Sequence, residues 1–369
     1  MSKKVVVIGG GIVGASTAYT LAKKGADVIL VDRADIGQAT DAAAGIICPW
    51  LSQRRNKAWY KLVKSGAAMY PELVKSLEAD GETDTGYKQV GALSIHTNEE
   101  KLIAMQERAI KRREDAPEIG EVHLLDETET KEKFPLIAEG YQSVFVSGAA
   151  RVDGRKLRNA MIRGAQKYGA EVVNGNAELL IKGTRITGVK VNNKDIFADL
   201  VIAASGAWMN QLIKPLRVDF EVRPQKAQIL HLKYKDIDTS KLPVIMPPNN
   251  QYLLSFDDQR IVVGATHEDD VGFDTSVTAF GMHDILNKAL EIAPGLKTSK
   301  IIETRVGFRP MTKGYLPVIG SLPGYEDLFF ANGLGASGLT AGPFLGKQLA
   351  KLALDQPTDI NLEDYQIQI

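Results

Sequence analysis

The stretch VVVIGGGIVGASTAYTLAKKGADVILVDR, Val5 to Arg33, constrains the fold more than any other part of the chain. It opens with a β-branched run, Val5 to Ile8, of the kind buried on both faces of a parallel sheet. Gly9, Gly11 and Gly14 follow in the spacing G-x-G-x-x-G. Ala15, Ala18, Tyr19 and Ala22 then recur at helical spacing until Gly25, and Ala26 to Val31 supplies a second strand that ends in Asp32. Each glycine has a use: Gly9 for the tight turn, Gly11 for the approach of a pyrophosphate to the backbone, and Gly14 for close packing of helix on strand. The free amides at the helix start would face the phosphates. Asp32 stands where it can accept hydrogen bonds from an adenosine ribose, and Arg33 beside it is a further candidate for the cofactor. A glycine-rich turn without a ligand is the plain alternative, but strand, turn, helix, strand and acid in this order favour a dinucleotide.

Other readings of the same run fail. Lys3 and Lys4 precede it as they would a signal peptide, yet Lys23, Lys24, Asp27 and Asp32 interrupt it before any small-residue cleavage site. It is also too short and too rich in glycine to span a bilayer. No integral membrane segment is expected.

The N-terminal unit cannot separate FAD from NAD, because both carry the same adenosine diphosphate half. The far end of the chain, DLFFANGLGASGLTAGPFLGKQLAKLAL from Asp327, bears on the choice. Leu328 to Ala331 reads as a strand, Gly333 to Gly342 as a loose turn, and Phe344 to Leu354 as a helix. A helix start there can aim its dipole at the electron-rich edge of a flavin, which suits FAD. Gly335, Ser337, Gly338, Leu339 and Thr340 are the candidates in this turn. A crossover helix that only packs is the other reading.

A third signal lies between the two. ADLVIAA, Ala198 to Ala204, is a buried-strand run leading into Ser205 and Gly206, small enough for the chain to pass close to a cofactor. Before it, a helix opens at Arg151-Val152-Asp153 and ends near Tyr168-Gly169, and Glu171 to Val173 forms a strand in which Val173 is a cofactor candidate. Gly91 to Thr97 and Gln251 to Gly264 alternate apolar and polar residues, as antiparallel strands do. The expected class is therefore α/β with an α+β part. A Rossmann-like FAD-binding domain (1–85, 145–218 and 305–369) is joined to a mixed or antiparallel-sheet substrate domain (86–144 and 219–304), both discontinuous in sequence.

Composition narrows the function. With 369 residues the chain suits two lobes, and 45 basic against 45 acidic residues give it no overall field to attract nucleic acid. The single cysteine, Cys48, excludes a disulfide framework or a cysteine-rich metal site and fits a reducing cytoplasm. A cytoplasmic location is expected, with a peripheral position at the inner face of the membrane as the alternative. The five histidines show no metal-ligand spacing. Two basic stretches, Gln53 to Lys57 and Lys111 to Arg113, read as a solvated helix start and an exposed helix face; the first could also draw in a carboxylate.

Nearly end to end, the chain resembles the FAD-dependent amino-acid oxidoreductases of the D-amino-acid oxidase superfamily, most closely the glycine oxidase and D-amino-acid dehydrogenase branch. Besides the opening glycines, the segments that carry the resemblance are ATDAAAGII at Ala39, VIAASGAW at Val201, YLLSF at Tyr252, RIVVGATHE at Arg260, VGFRP at Val306 and LPVIG at Leu316. The resemblance implies that Ala43, Ala44, Gly45 and Ile46 lie in a loop over the flavin. It also implies that Arg309 clamps the substrate carboxylate, a task for which a planar guanidinium fork is suited. Tyr252 matches the tyrosine that lends its hydroxyl to the same carboxylate. The implied reaction is hydride transfer from the α-carbon of glycine, sarcosine or a D-amino acid to noncovalent FAD, giving an imine that water hydrolyses to an oxo acid.

Oxygen or an electron carrier would reoxidise the cofactor; a quinone-linked dehydrogenase and a non-catalytic flavin-binding sensor are the alternatives, and a homo-oligomer is left open. The chain departs from the branch at Leu334 to Ser337, where small residues replace bulkier and charged ones, and at Asp41, where a small hydroxyl residue is usual. His267, beside the GAT strand, could stand near the pocket, although a surface or core residue is the favoured reading.

Overall fold

A computed structural model describes residues 2–367. The opening run forms β1 (Lys4–Ile8), α1 (Ile12–Lys23) and β2 (Asp27–Asp32). β1 sits inside a six-stranded sheet, paired in parallel with β2 on one side and with Leu200–Ala203 on the other. Leu328–Asn332 and Glu171–Asn174 extend the sheet in parallel, and Val318–Ser321 closes one edge antiparallel. Successive residues of β1 serve opposite faces: Val5 and Val7 join one apolar cluster, Val6 and Ile8 another. That is why the strand is apolar throughout rather than alternating.

One face of this sheet is covered by α1, Gly154–Lys167 and the C-terminal helix Gly338–Ala353. α2 (Lys57–Ala79) crosses the C-terminal helix in turn. The crossing is a backbone contact, because a Cβ at Gly66 would stand 2.1 Å from the Thr340 carbonyl oxygen. The C-terminal helix begins at Gly338, earlier than the expected Phe344, and carries Pro343 inside it. Proline cannot donate to the carbonyl four residues back, that of Leu339. The Tyr70 hydroxyl of α2 donates to that oxygen instead, so the helix starts before the proline without leaving a buried acceptor unpaired.

The second unit is a mixed eight-stranded sheet ordered Lys300–Met311, Arg223–Lys233, Arg260–Gly264, Tyr252–Ser255, Val244–Met246, Ala92–His96, Gln142–Val146 and Val122–Leu125. Only Val244–Met246 and Ala92–His96 pair in parallel among these strands. The helix Ala279–Ile292 buries Ile285, Ala289 and Ile292 against Leu230, Ile261 and Val263. α3 (Glu99–Arg113) buries Leu102, Met105 and Ala109, and its exposed surface is mostly charged, with Ile103 and Ile110 the apolar exceptions. The division points expected at 145 and 305 fall inside strands. The ladder of Lys300–Met311 runs unbroken from Glu303 to Met311 opposite Arg223, and Gln142–Val146 pairs along its whole length, so both belong to this sheet. The expected outer limits, 1 and 369, lie outside the described residues.

Charges tie the two units together. Asp153 caps the helix Gly154–Lys167, accepting from the Arg155 and Lys156 amides, and also receives Arg260 from the second sheet at 2.8 Å. Burial alone would raise the Asp153 pKa; the Arg260 guanidinium and the Lys156 amide outweigh it and leave the group lowered. Arg260 also donates to His231 Nδ1 at 3.1 Å. Burial, then the charges of Arg305 and Arg260, push His231 down to about 3, against Glu303 and Asp153. It is neutral in the fold.

Two predictions follow from this packing. Gly66→Ala should destabilise the protein by about 1–3 kcal/mol in urea unfolding, the usual cost of forcing atoms into a filled contact; an unchanged midpoint would contradict the crossing described. Between pH 6.5 and about 3 the unfolded chain protonates His231 and the folded one does not, so stability falls as pH falls through this window. The slope this adds is about 1.4 kcal/mol per pH unit. His231→Gln should flatten the profile between pH 6.5 and about 5.5, above the range where ordinary carboxylates, with pKa values of about 4, begin to titrate.

Candidate active site

A single cavity of about 750 Å³ runs from the β1–α1 turn and Asp32 at one end to Tyr252 and Arg309 at the other. Its cofactor half is built from close backbone approaches. Gly9 has φ +101°, and a Cβ there would stand 2.5 Å from the Ala204 carbonyl oxygen. Gly11 stands at the N-cap of α1 with no side chain to cap it, and Thr40 Oγ1 accepts a bond from the Ile12 amide at 3.0 Å. Asp32 is held by the amides of Gly10 and Ala34 and by Gln38 Nε2 at 2.9 Å. Arg33 bonds Asp35, Asn176 and Gln211 while lining the same space.

The loop holding Ala43, Ala44, Gly45 and Ile46 forms another wall. Gly45 (φ +100°) lies so close to Val152 that a Cβ would meet its carbonyl oxygen at 1.8 Å, and the Val152 amide donates to Gly45 at 2.9 Å. Thr340 Oγ1 donates to the Ile46 carbonyl at 3.0 Å and so joins this loop to the C-terminal helix start. Ser205 and Gly206 line the cavity, and the Gly206 carbonyl accepts from Asn332 Nδ2 at 2.9 Å. Gly335, Gly338, Leu339 and Thr340 close this side.

Three of the expected residues stand outside the cavity lining. Gly14 packs α1 on the turn, where a Cβ would be 1.8 Å from the Gly9 carbonyl oxygen. Ser337 faces away and accepts a bond from Trp59 Nε1 at 3.1 Å. Val173 packs into the apolar cluster beneath the sheet; the lining begins at Gly175 and Asn176 instead. The ends of parallel strands, rather than their middles, meet ligands, so the Asn174-Gly175-Asn176 turn beside Asp32 was the available signal.

The substrate half is polar at one point. Arg309 donates to Gln225 Oε1 at 3.0 Å and weakly to the Thr266 carbonyl at 3.4 Å, and no carboxylate among the described residues lies within ion-pair distance of it. Burial lowers its pKa, opposed by Tyr252 and Asp269. Burial pushes the Tyr252 hydroxyl up to about 12 against the Arg309 charge, so it stays protonated. His267, for which a place near the pocket is the less favoured expectation, and Asn250, which the sequence does not mark, line the cavity beside them. Burial first, and then Arg309, lowers the His267 pKa, so the ring is neutral at pH 7. Nothing in the local pattern of either residue marks it; the pairing of Tyr252 with Gly264 brings their loops together.

The glycine cradles, the acid at one end and the helix start at the other fit an elongated dinucleotide such as FAD. The thiol of Cys48 is buried, its pKa pushed up to about 12, and it does not line the cavity. No group of metal-ligating side chains occurs among the described residues, and none of their helices is long and apolar enough to cross a membrane.

Residues 4–352 match the family described as "DAO: FAD dependent oxidoreductase". The chain is 57% identical to the uncharacterized oxidoreductase YurR of Bacillus subtilis (strain 168), over 98% of both chains. It is 28% identical to a glycine oxidase of Pseudomonas putida, covering 93% of this chain and 92% of that one. Among solved structures, iminodiacetate oxidase (IdaA) from Chelativorans sp. BNC1 superposes with a TM-score of 0.95 at 42% identity, over 98% of each chain. The chain belongs to the DAO family of FAD-dependent oxidoreductases.

Proposed function

We propose that the protein oxidises the carbon–nitrogen bond of a small amino acid, with an N-substituted glycine as the favoured substrate. The observation that carries this reading is Arg309: a guanidinium in the cavity wall, largely desolvated, with neutral hydrogen-bond partners and, among the described residues, no carboxylate within ion-pair distance. An unpaired cation is costly to hold in such a place, and an incoming carboxylate offsets the cost. The likeness to glycine oxidase and iminodiacetate oxidase supports a substrate with a glycine unit.

FAD, when bound, supplies the two-electron acceptor for the substrate hydride. The chain supplies position and electrostatics. Arg309 would hold the substrate carboxylate through two parallel hydrogen bonds, and the protonated Tyr252 hydroxyl would donate a third. Burial and Arg309 keep His267 neutral, so a ring nitrogen would accept a hydrogen bond from the substrate nitrogen without taking on a second positive charge beside Arg309. The resulting imine would leave for hydrolysis. Oxygen and an electron carrier remain alternative acceptors, because Arg309 and Tyr252 act on the substrate in the same way with either.

The test is anaerobic addition of iminodiacetate, sarcosine, glycine, D-alanine and D-proline to the FAD-loaded protein, with the flavin absorbance followed. Bleaching by the glycine derivatives supports the reading, and the rate of colour return in air separates an oxidase from a dehydrogenase. If none of them bleaches the band, the substrate class is wrong. For the clamp, Arg309→Ala should keep FAD and lower kcat/KM by roughly a hundredfold or more, since misplacement alone has that scale. Tyr252→Phe should cost roughly tenfold, the scale of one lost hydrogen bond to a charged group. Unchanged turnover in Arg309→Ala would refute the assignment.

A further inference from the structure

Outside the flavin cavity, a second recess of about 630 Å³ lies between the segment Gln53–Lys57, the start of α2 and the end of α3. Arg54, Arg55, Lys57, Lys61, Arg108 and Arg112 line it, and none has a carboxylate within ion-pair distance among the described residues. The one acid in the lining, Asp115, is taken by Lys64 at 2.6 Å. In a chain whose charges balance, 45 against 45, this is a strong local excess of one sign.

The recess is built rather than a chance meeting of flexible side chains. Arg112 lies over the Tyr60 ring at 4.4 Å and donates to the Trp50 carbonyl and to the Ser52 carbonyl at 2.7 Å. Arg54 lies over the Trp59 ring at 4.8 Å and donates to the Tyr315 carbonyl at 2.6 Å. Asn56 caps α2, so the positive end of that helix opens on the same space. Two polar atoms of the lining are buried without a partner, the Tyr60 hydroxyl and Arg108 Nε. Buried polar groups are normally bonded, and here both can donate to an anion, Arg108 Nε being a donor only. Burial lowers the Arg112 pKa, Tyr60 opposes it, and the charge of Arg108 one helical turn away lowers it further.

We propose that this recess is an anion site, separate from the flavin cavity, which takes a small polyanion bearing two or more phosphate or carboxylate groups. Its two fixed guanidinium groups suit bidentate contacts, and the lysines and the helix start supply further positive charge. The volume admits a molecule larger than a single inorganic ion.

The test is calorimetric titration of the FAD-loaded protein with sodium pyrophosphate and, separately, with sodium citrate, both at an ionic strength held constant with sodium chloride. Saturable one-to-one binding is expected for at least one probe, and the tighter of the two distinguishes a phosphate from a carboxylate source. Arg108→Gln should weaken it by roughly tenfold or more, the scale of one charge-assisted bond. The double variant of exposed residues, Arg55→Gln with Lys61→Gln, guards against misfolding and should weaken binding comparably while FAD content stays the same. Arg309→Ala should leave it intact. Absence of saturable binding by both probes, binding indifferent to the first two variants, or binding lost with Arg309 would each overturn the proposal.

Discussion

The strand that carries Arg309 passes so close to the segment following β2 that neither partner has room for another atom. A Cβ at Gly37 would stand 2.3 Å from the Phe308 ring, and one at Gly307 would stand 2.6 Å from the Ala42 methyl. The Phe308 amide donates to the Gly37 carbonyl at 2.9 Å, so the contact is bonded as well as close. Phe308 is buried, with Trp208 and Phe273 packed edge-on against it. Through this contact the second sheet is registered on the cofactor side, and Arg309, one residue further along, opens into the cavity that Gly9 and Asp32 begin. The geometry of the site rests on this seam more than on either sheet alone.

Charge placement gives the cavity its meaning. Among the described residues the three most deeply buried cations have carboxylate partners: Arg260 with Asp153, Arg151 with Asp257 and Lys226 with Asp274. Such pairs contribute little net stability, but breaking one leaves a buried charge exposed to the full desolvation cost. Arg309 departs from that pattern inside the one cavity that also holds glycine cradles and a protonated tyrosine hydroxyl. The carboxylate-binding role proposed for Arg309 rests on this departure.

How much of this was legible in the sequence depended on range. Local periodicity showed β1, α1 and β2 because each is set by neighbours in the chain, and the glycine spacing marked the turn. The C-terminal helix was placed too late because Pro343 reads as a breaker until Tyr70, far away in sequence, is seen bonding the freed carbonyl. Val173 was chosen by strand pattern, whereas the cavity meets the turn just beyond that strand. Arg309 has no local signal and was found through resemblance alone. His267 and Asn250 reach the site through the pairing of Tyr252 with Gly264, a contact between strands that spacing cannot reveal. The basic run at Gln53 reads as a helix start from local pattern; only the approach of α3 turns it into one wall of a recess.

The central claim is that Arg309 binds a carboxylate next to the flavin. Its most direct test is titration of the FAD-loaded protein with methoxyacetate, an unreactive carboxylate shaped like sarcosine, followed by the flavin difference spectrum. The account predicts a saturable perturbation of the flavin band that disappears in Arg309→Ala while FAD remains bound. A perturbation that survives unchanged in that variant would contradict it.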